Sequence, residues 1–84
     1  MNTRESVEKV VIDALDEFGF DRQDILLDSS LADLDVSSLD LVELIQIVRE
    51  EFGIELQGQQ IAGCATLDAL ISLITDHAQA AGAA

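Results

Sequence analysis

Eighty-four residues carrying 17 acidic side chains against four basic ones and a single histidine give a formal charge of −13. A chain this short builds one small core and has no room for a separate catalytic domain. The charge argues against nucleic acid and anionic membrane as partners, since both need basic surface, while 49% hydrophobic residues at regular spacing separate the chain from acidic disordered segments.

Asn2 to Phe18 reads as a first helix. Asn2 and Glu5 have capping-box spacing, Val7, Val10, Val11, Ala14, Leu15 and Phe18 form one apolar stripe, and Gly19 stops the helix. Glu8, Asp13, Asp16 and Glu17 make a solvated face. Met1 to Gly19 lacks the basic start and apolar run of a signal peptide, and no stretch approaches the roughly 20 apolar residues of a membrane span, so a cytoplasmic location is expected.

Phe20 to Val36 is a long connection in which Phe20, Ile25, Leu26, Leu27, Leu31 and Leu34 read as packing anchors between Asp and Ser residues. Such a loop persists in a compact domain because its side chains pin it down or because it carries function. Its acids, Asp21, Asp24, Asp28, Asp33 and Asp35, raise a metal-binding alternative. An EF-hand started at Asp33 fails, with Ser38 at the sixth position where Gly is needed and Leu44 at the twelfth where Glu is needed. A loosely held surface divalent ion is the remaining metal reading, and no metal site is assigned.

Ser38 to Phe52 is the second helix, ended by Gly53. Ser37 is its N-cap, with Asp40 placed to reach back as a capping box, and Ser38 falls in the first turn, in the positive field of the helix N-terminus. Leu41, Leu44, Ile45, Val48 and Phe52 form the core stripe. Leu39, Val42, Glu43, Gln46, Arg49 and Glu50 line an exposed strip that begins beside Ser38, with Leu39 and Val42 as a small apolar docking patch.

The run Asp33-Leu34-Asp35-Val36-Ser37-Ser38-Leu39-Asp40-Leu41-Val42-Glu43-Leu44 resembles the signature of acyl carrier proteins, in which a serine opening the second helix carries 4′-phosphopantetheine. The resemblance places the modified serine at Ser38 and extends through Glu50-Glu51-Phe52 to the Ala-rich tail. Ser37 stands where the family usually has Asp, and Asp35 where it usually has Gly. The resemblance implies an acyl-carrier-like fold, a covalent 4′-phosphopantetheine drawn from coenzyme A by a phosphopantetheinyl transferase, and acyl groups held as thioesters. It further implies an acyltransferase, a ketosynthase or an acyl-loading ligase as partners, whose basic surfaces meet Asp35, Leu39, Asp40, Val42, Glu43, Gln46, Arg49 and Glu50. No catalytic residue is expected in the chain itself, and the expected state is a monomer.

Ile54 to Leu56 is a short extended connection, and Gln57 to Cys64 holds at most a turn or two of helix. Cys64 can form neither an intrachain disulfide nor, alone, a zinc site, and reads as a small buried hydrophobe. Thr66 caps a last helix with the stripe Leu67, Leu70, Ile71, Ile74 and Ala78, and His77 is placed in its last turn as a structural residue. Residues 79–84 read as a flexible tail after a domain spanning 1–78.

The expected fold is all-α: a small antiparallel helical bundle of three long helices and one short one. A serine hydrolase is the weakest functional reading, since no Gly-x-Ser-x-Gly elbow is present and neither His nor Lys lies near Ser38. An acidic protein-interaction module without a prosthetic group is the alternative outside the carrier class. Among carriers, the missing acid before Ser38 and the interruption of the acidic strip by Arg49 favour polyketide-type or other specialised biosynthesis. Fatty-acid and aminoacyl or peptidyl carriers are the alternatives.

Overall fold

A computed structural model describes residues 3–26 and 28–82. Its elements are α1 (Thr3–Glu17), a single 3-10 turn (Arg22–Asp24), α2 (Ser38–Phe52), α3 (Gly58–Ala62) and α4 (Leu67–Gly82), so the described residues form an all-helical fold with three long helices and one short one. The expected cap at Asn2 and the expected anchor Leu27 lie outside the described residues.

The stripes read from the sequence converge on one core, except that Val10 stays half-buried outside it. Val7, Val11, Ala14 and Leu15 of α1 meet Leu44 and Val48 of α2 and Leu67, Leu70, Ile71, Ile74 and Ala78 of α4, all buried. Ile25, Leu31, Ile54 and Ile61 complete it from the connections and α3. Phe18, Leu41, Ile45 and Phe52 pack against this core while half-buried. At the polar edge, Arg4 in the first turn of α1 pairs with Glu8 at 3.1 Å, donates to Ser72 Oγ at 3.0 Å and pairs with Asp68, tying the start of α1 to the start of α4.

Helix ends follow their punctuation. At Gly19, φ is +104°, where a side chain is strained, and the Phe20 N–H turns back to the Leu15 carbonyl at 3.1 Å. Gly53, at φ +67°, closes α2 with its N–H on the Arg49 carbonyl at 2.8 Å. The Thr66 hydroxyl accepts the Ala69 N–H at 3.1 Å, the cap expected for α4.

The long connection is pinned by the buried Ile25 and Leu31 and by a clasp to the start of α4. Ser30 and Thr66 form an isolated antiparallel bridge, the Leu31 N–H donates to the Ala65 carbonyl at 3.0 Å, and the Leu67 N–H donates to the Ser29 carbonyl at 3.1 Å. Leu26 departs from its expected role as an anchor. It is 55% exposed, because the turn at Arg22–Asp24 commits Ile25 to the core and sends its neighbour outward.

Two further readings change near the C-terminal end. Helix α4 continues through residues 79–82, so His77 lies more than a turn before the helix end. The Ala-rich composition that suggested fraying is also the composition of highest helix propensity. Cys64 is half-buried against the core, its thiol near the Gln60 carbonyl at 3.6 Å, and burial raises its pKa above the ordinary value.

Candidate functional site

The site is built where the long connection hands over to α2. Between Ser30 and Val36 the backbone winds tightly: the Leu34 N–H donates to the Ser30 carbonyl at 3.1 Å, the Asp35 N–H to the Ala32 carbonyl at 3.1 Å, and the Val36 N–H to the Leu31 carbonyl at 3.3 Å. Asp35 leaves this turn in the left-handed region, at φ 60°. That conformation normally favours Gly and is tolerated by Asp better than by most residues, which gives a backbone reason for the Gly that the resemblance leads one to expect here.

Ser37 then adopts extended geometry and caps α2 in both directions. Its hydroxyl accepts the Asp40 N–H at 3.1 Å, and the Asp40 carboxylate accepts the Ser37 N–H at 3.2 Å. The Ser37 hydroxyl is therefore occupied. Ser38, one residue on, is exposed, and among the described residues its hydroxyl has no hydrogen-bond partner. The N–H groups of Ser38 and Leu39 belong to the open first turn of α2, where a helix has no internal acceptors, so a phosphate ester on Ser38 meets unpaired donors and the positive end of the helix dipole. The residues present thus fit the attachment of a phosphate-linked group.

The exposed strip is arranged as the periodicity predicts. Leu39 is 67% and Val42 48% exposed, and Glu43, Gln46, Arg49 and Glu50 all face solvent. Asp35 is also exposed, whereas Asp40 is half-buried and engaged in the cap. Arg49 pairs with Glu55 at 3.2 Å, so the cation that interrupts the acidic strip is partnered by the α2–α3 linker. The other two arginines are similarly engaged, Arg4 with Glu8 and Asp68 and Arg22 with Asp13 and Asp16, and these hydrogen bonds raise both guanidinium pKa values. Among the described residues no group of three or more His, Cys, Asp and Glu could hold a metal ion.

Sequence reasoning did not find the wall facing Ser38. A cleft of about 230 Å³ opens between α2 and α3, lined by Ser38, Leu41, Val42, Ile45, Gly58 and Ile61. Gly58 and Ile61 belong to the short α3, whose signal in the sequence is the three-residue spacing of Gln57 and Gln60. The Gln60 side-chain oxygen accepts the Gln57 N–H at 3.0 Å, half of a capping box.

Residues 8–74 match the family model described as "Phosphopantetheine attachment site", a span that contains Ser38, its cap, the exposed strip and the cleft. The chain belongs to the acyl carrier protein family. It is similar to curated acyl carrier proteins of Thermosynechococcus vestitus (33% identity, covering 95% of this chain and all of the relative) and Clostridium acetobutylicum (34%, covering 86% and 95%). A third, from Rubrobacter xylanophilus, is 30% identical over 92% of this chain and 96% of its own. The prosthetic group of this carrier is 4′-phosphopantetheine, covalently attached. Among the described residues no helix is long and apolar enough to cross a membrane.

Proposed function

We propose that Ser38 is the residue that carries 4′-phosphopantetheine. The observation that carries this reading is the division of labour between two adjacent hydroxyls: Ser37 holds the Asp40 N–H, while Ser38, at the head of α2, is exposed and has no partner among the described residues. When bound, the group supplies a terminal thiol that holds acyl intermediates as thioesters. The Ser38 oxygen forms the new phosphodiester bond with the phosphopantetheine phosphorus of coenzyme A as the bond to the adenosine bisphosphate half breaks. A phosphopantetheinyl transferase takes up the serine proton. The open N–H groups of the first turn of α2 then face the bound phosphate.

The carrier's other residues serve encounter and release. Asp35, Glu43 and Glu50 steer basic surfaces of the transferase and of an acyltransferase, ketosynthase or acyl-loading ligase, and Leu39 and Val42 supply apolar contact beside the arm. Asp40 shapes this face as the cap, while Gln46 and Arg49 extend it along α2. Exposed ion pairs contribute only about 0–1 kcal/mol each, which keeps release fast. The cleft beside Ser38 is smaller than the roughly 300–1,000 Å³ of sites that enclose a drug-sized ligand, so it shelters a short apolar segment and leaves a long or polar cargo to the partner enzyme. Ser37 before the attachment residue and Arg49 on the strip favour polyketide-type or other specialised biosynthesis over fatty-acid synthesis.

Intact mass after incubation with coenzyme A and a transferase tests the assignment. The unaltered chain and Ser37→Ala gain one phosphopantetheine, and Ser38→Ala gains none while keeping its helicity. Modification of Ser38→Ala would overturn the assignment, and no gain in any chain would favour an interaction module without a prosthetic group.

A further inference from the structure

The one histidine of the chain lies outside the attachment site, in a groove lined with Ile45, Arg49, Glu55, Leu56, Gln57 and Gln60. Both of its ring nitrogens are engaged. Nδ1 lies 3.0 Å from the Leu73 carbonyl, and because a carbonyl only accepts, Nδ1 carries the hydrogen. Nε2 lies 3.4 Å from the side-chain nitrogen of Gln60, whose oxygen is already taken by the Gln57 N–H. The amide nitrogen only donates, so Nε2 accepts with its lone pair, and this pattern of bonds exists only in the neutral imidazole. A proton on Nε2 sets donor against donor.

The Gln60 side chain thus joins two jobs: it caps α3 with its oxygen and ties α3 to α4 with its nitrogen. Helix α3 is five residues long, well under the roughly 12–15 at which an isolated helix becomes even marginal, so its position is set by what holds it. Ile61 anchors it in the core and the Gln60–His77 contact fixes its outer side. The same helix contributes Gly58 and Ile61 to the cleft beside Ser38.

We infer that His77 is the positioning residue of that cleft: neutral, it holds α3 against α4 through Gln60, and protonated, it frees the outer side of α3 from α4 and loosens the wall that faces Ser38. The inference deepens the reading of Ser38 as the attachment residue, since it concerns the wall that the arm would meet. Among the described residues the charged groups around the ring are few. Helix α2 presents Arg49 and the linker presents Glu55, already paired with each other at 3.2 Å, α3 presents no charged side chain, and on α4 the neighbouring Asp76 is exposed.

The test uses the full unmodified chain, labelled with ¹⁵N. Imidazole nitrogen shifts at the alkaline end should show the neutral proton on Nδ1. Hydrogen exchange, corrected for its intrinsic pH dependence, should show the amides of Gln60, Ile61 and Cys64 losing protection on the order of two- to tenfold as His77 protonates, the range that one net hydrogen bond supplies. Those of α1 should hold. Gln60→Glu keeps an oxygen for the Gln57 N–H and offers the protonated ring a carboxylate, so its response should reverse, with α3 better protected in acid. A neutral proton on Nε2, unchanged protection in the unaltered chain, or the same sign of response in Gln60→Glu would each overturn the inference. None of these readouts requires the prosthetic group, so failure here leaves the Ser38 assignment standing, and failure of that assignment leaves these readouts unchanged.

Discussion

At the scale of single residues, the site depends on conformations that only certain side chains accept. Asp35 sits at φ 60° immediately before the cap, and a left-handed residue with a Cβ carries a strain of about 1–2 kcal/mol that Asp tolerates better than β-branched residues do. Asp35→Val should therefore lower stability by about 1–2 kcal/mol in urea unfolding, whereas Asp35→Gly should stay within about 0.5 kcal/mol, relief of strain being offset by the entropy of the unfolded chain. Equal losses in the two variants would show that the carboxylate, and not the backbone, matters there. The capping box of Ser37 and Asp40 was legible in the sequence because it is a contact between near neighbours set by spacing alone. The exposure of Leu26 was not, because whether a loop leucine packs inward depends on the direction the chain takes after the turn at Arg22–Asp24.

At the scale of elements, α2 divides its surface cleanly. Leu44 and Val48 are buried and Glu43, Gln46 and Glu50 are open, so a charge change on the open side can be made without touching the core. Glu43→Lys replaces attraction by repulsion near Ser38 and should slow association with a cognate enzyme by about tenfold at low salt, the difference narrowing as salt is added. Asp76→Lys on α4 should change the stopped-flow rate little. Equal slowing by both would mean that total charge, and no localised face, governs the encounter. The long helices were readable because each has an apolar period and a terminating signal. Helix α3 was poorly readable for the opposite reason: five residues with one buried side chain described carry no period, and its role as a wall arises only from packing against α2.

At the scale of the whole molecule, one core supports a surface of one dominant sign. Each arginine is engaged by the protein's own carboxylates, yet acids outnumber bases 17 to four, so mutual repulsion exceeds what the exposed ion pairs return. Screening that repulsion should raise the melting temperature, by about 4–8 °C for each kcal/mol relieved in a domain this size. Calorimetry at increasing sodium chloride checks the sign, and a fall on adding salt would mean that the ion pairs outweigh the repulsion. The clasp between Ser30 and Thr66 adds a constraint on the order of folding events. It closes a ring of roughly 36 residues, at a chain-entropy cost of about 3 kcal/mol that is repaid only once Leu31 and Leu67 reach the core together. Helical turns form within about a microsecond, whereas this closure is non-local and slower. Helix α2 lies inside the ring, so its cap can assemble early from neighbours in sequence, while the loop that leads into Ser38 is pinned at Ser30 and Leu31 only when the start of α4, nearly thirty residues downstream of Ser38, has arrived.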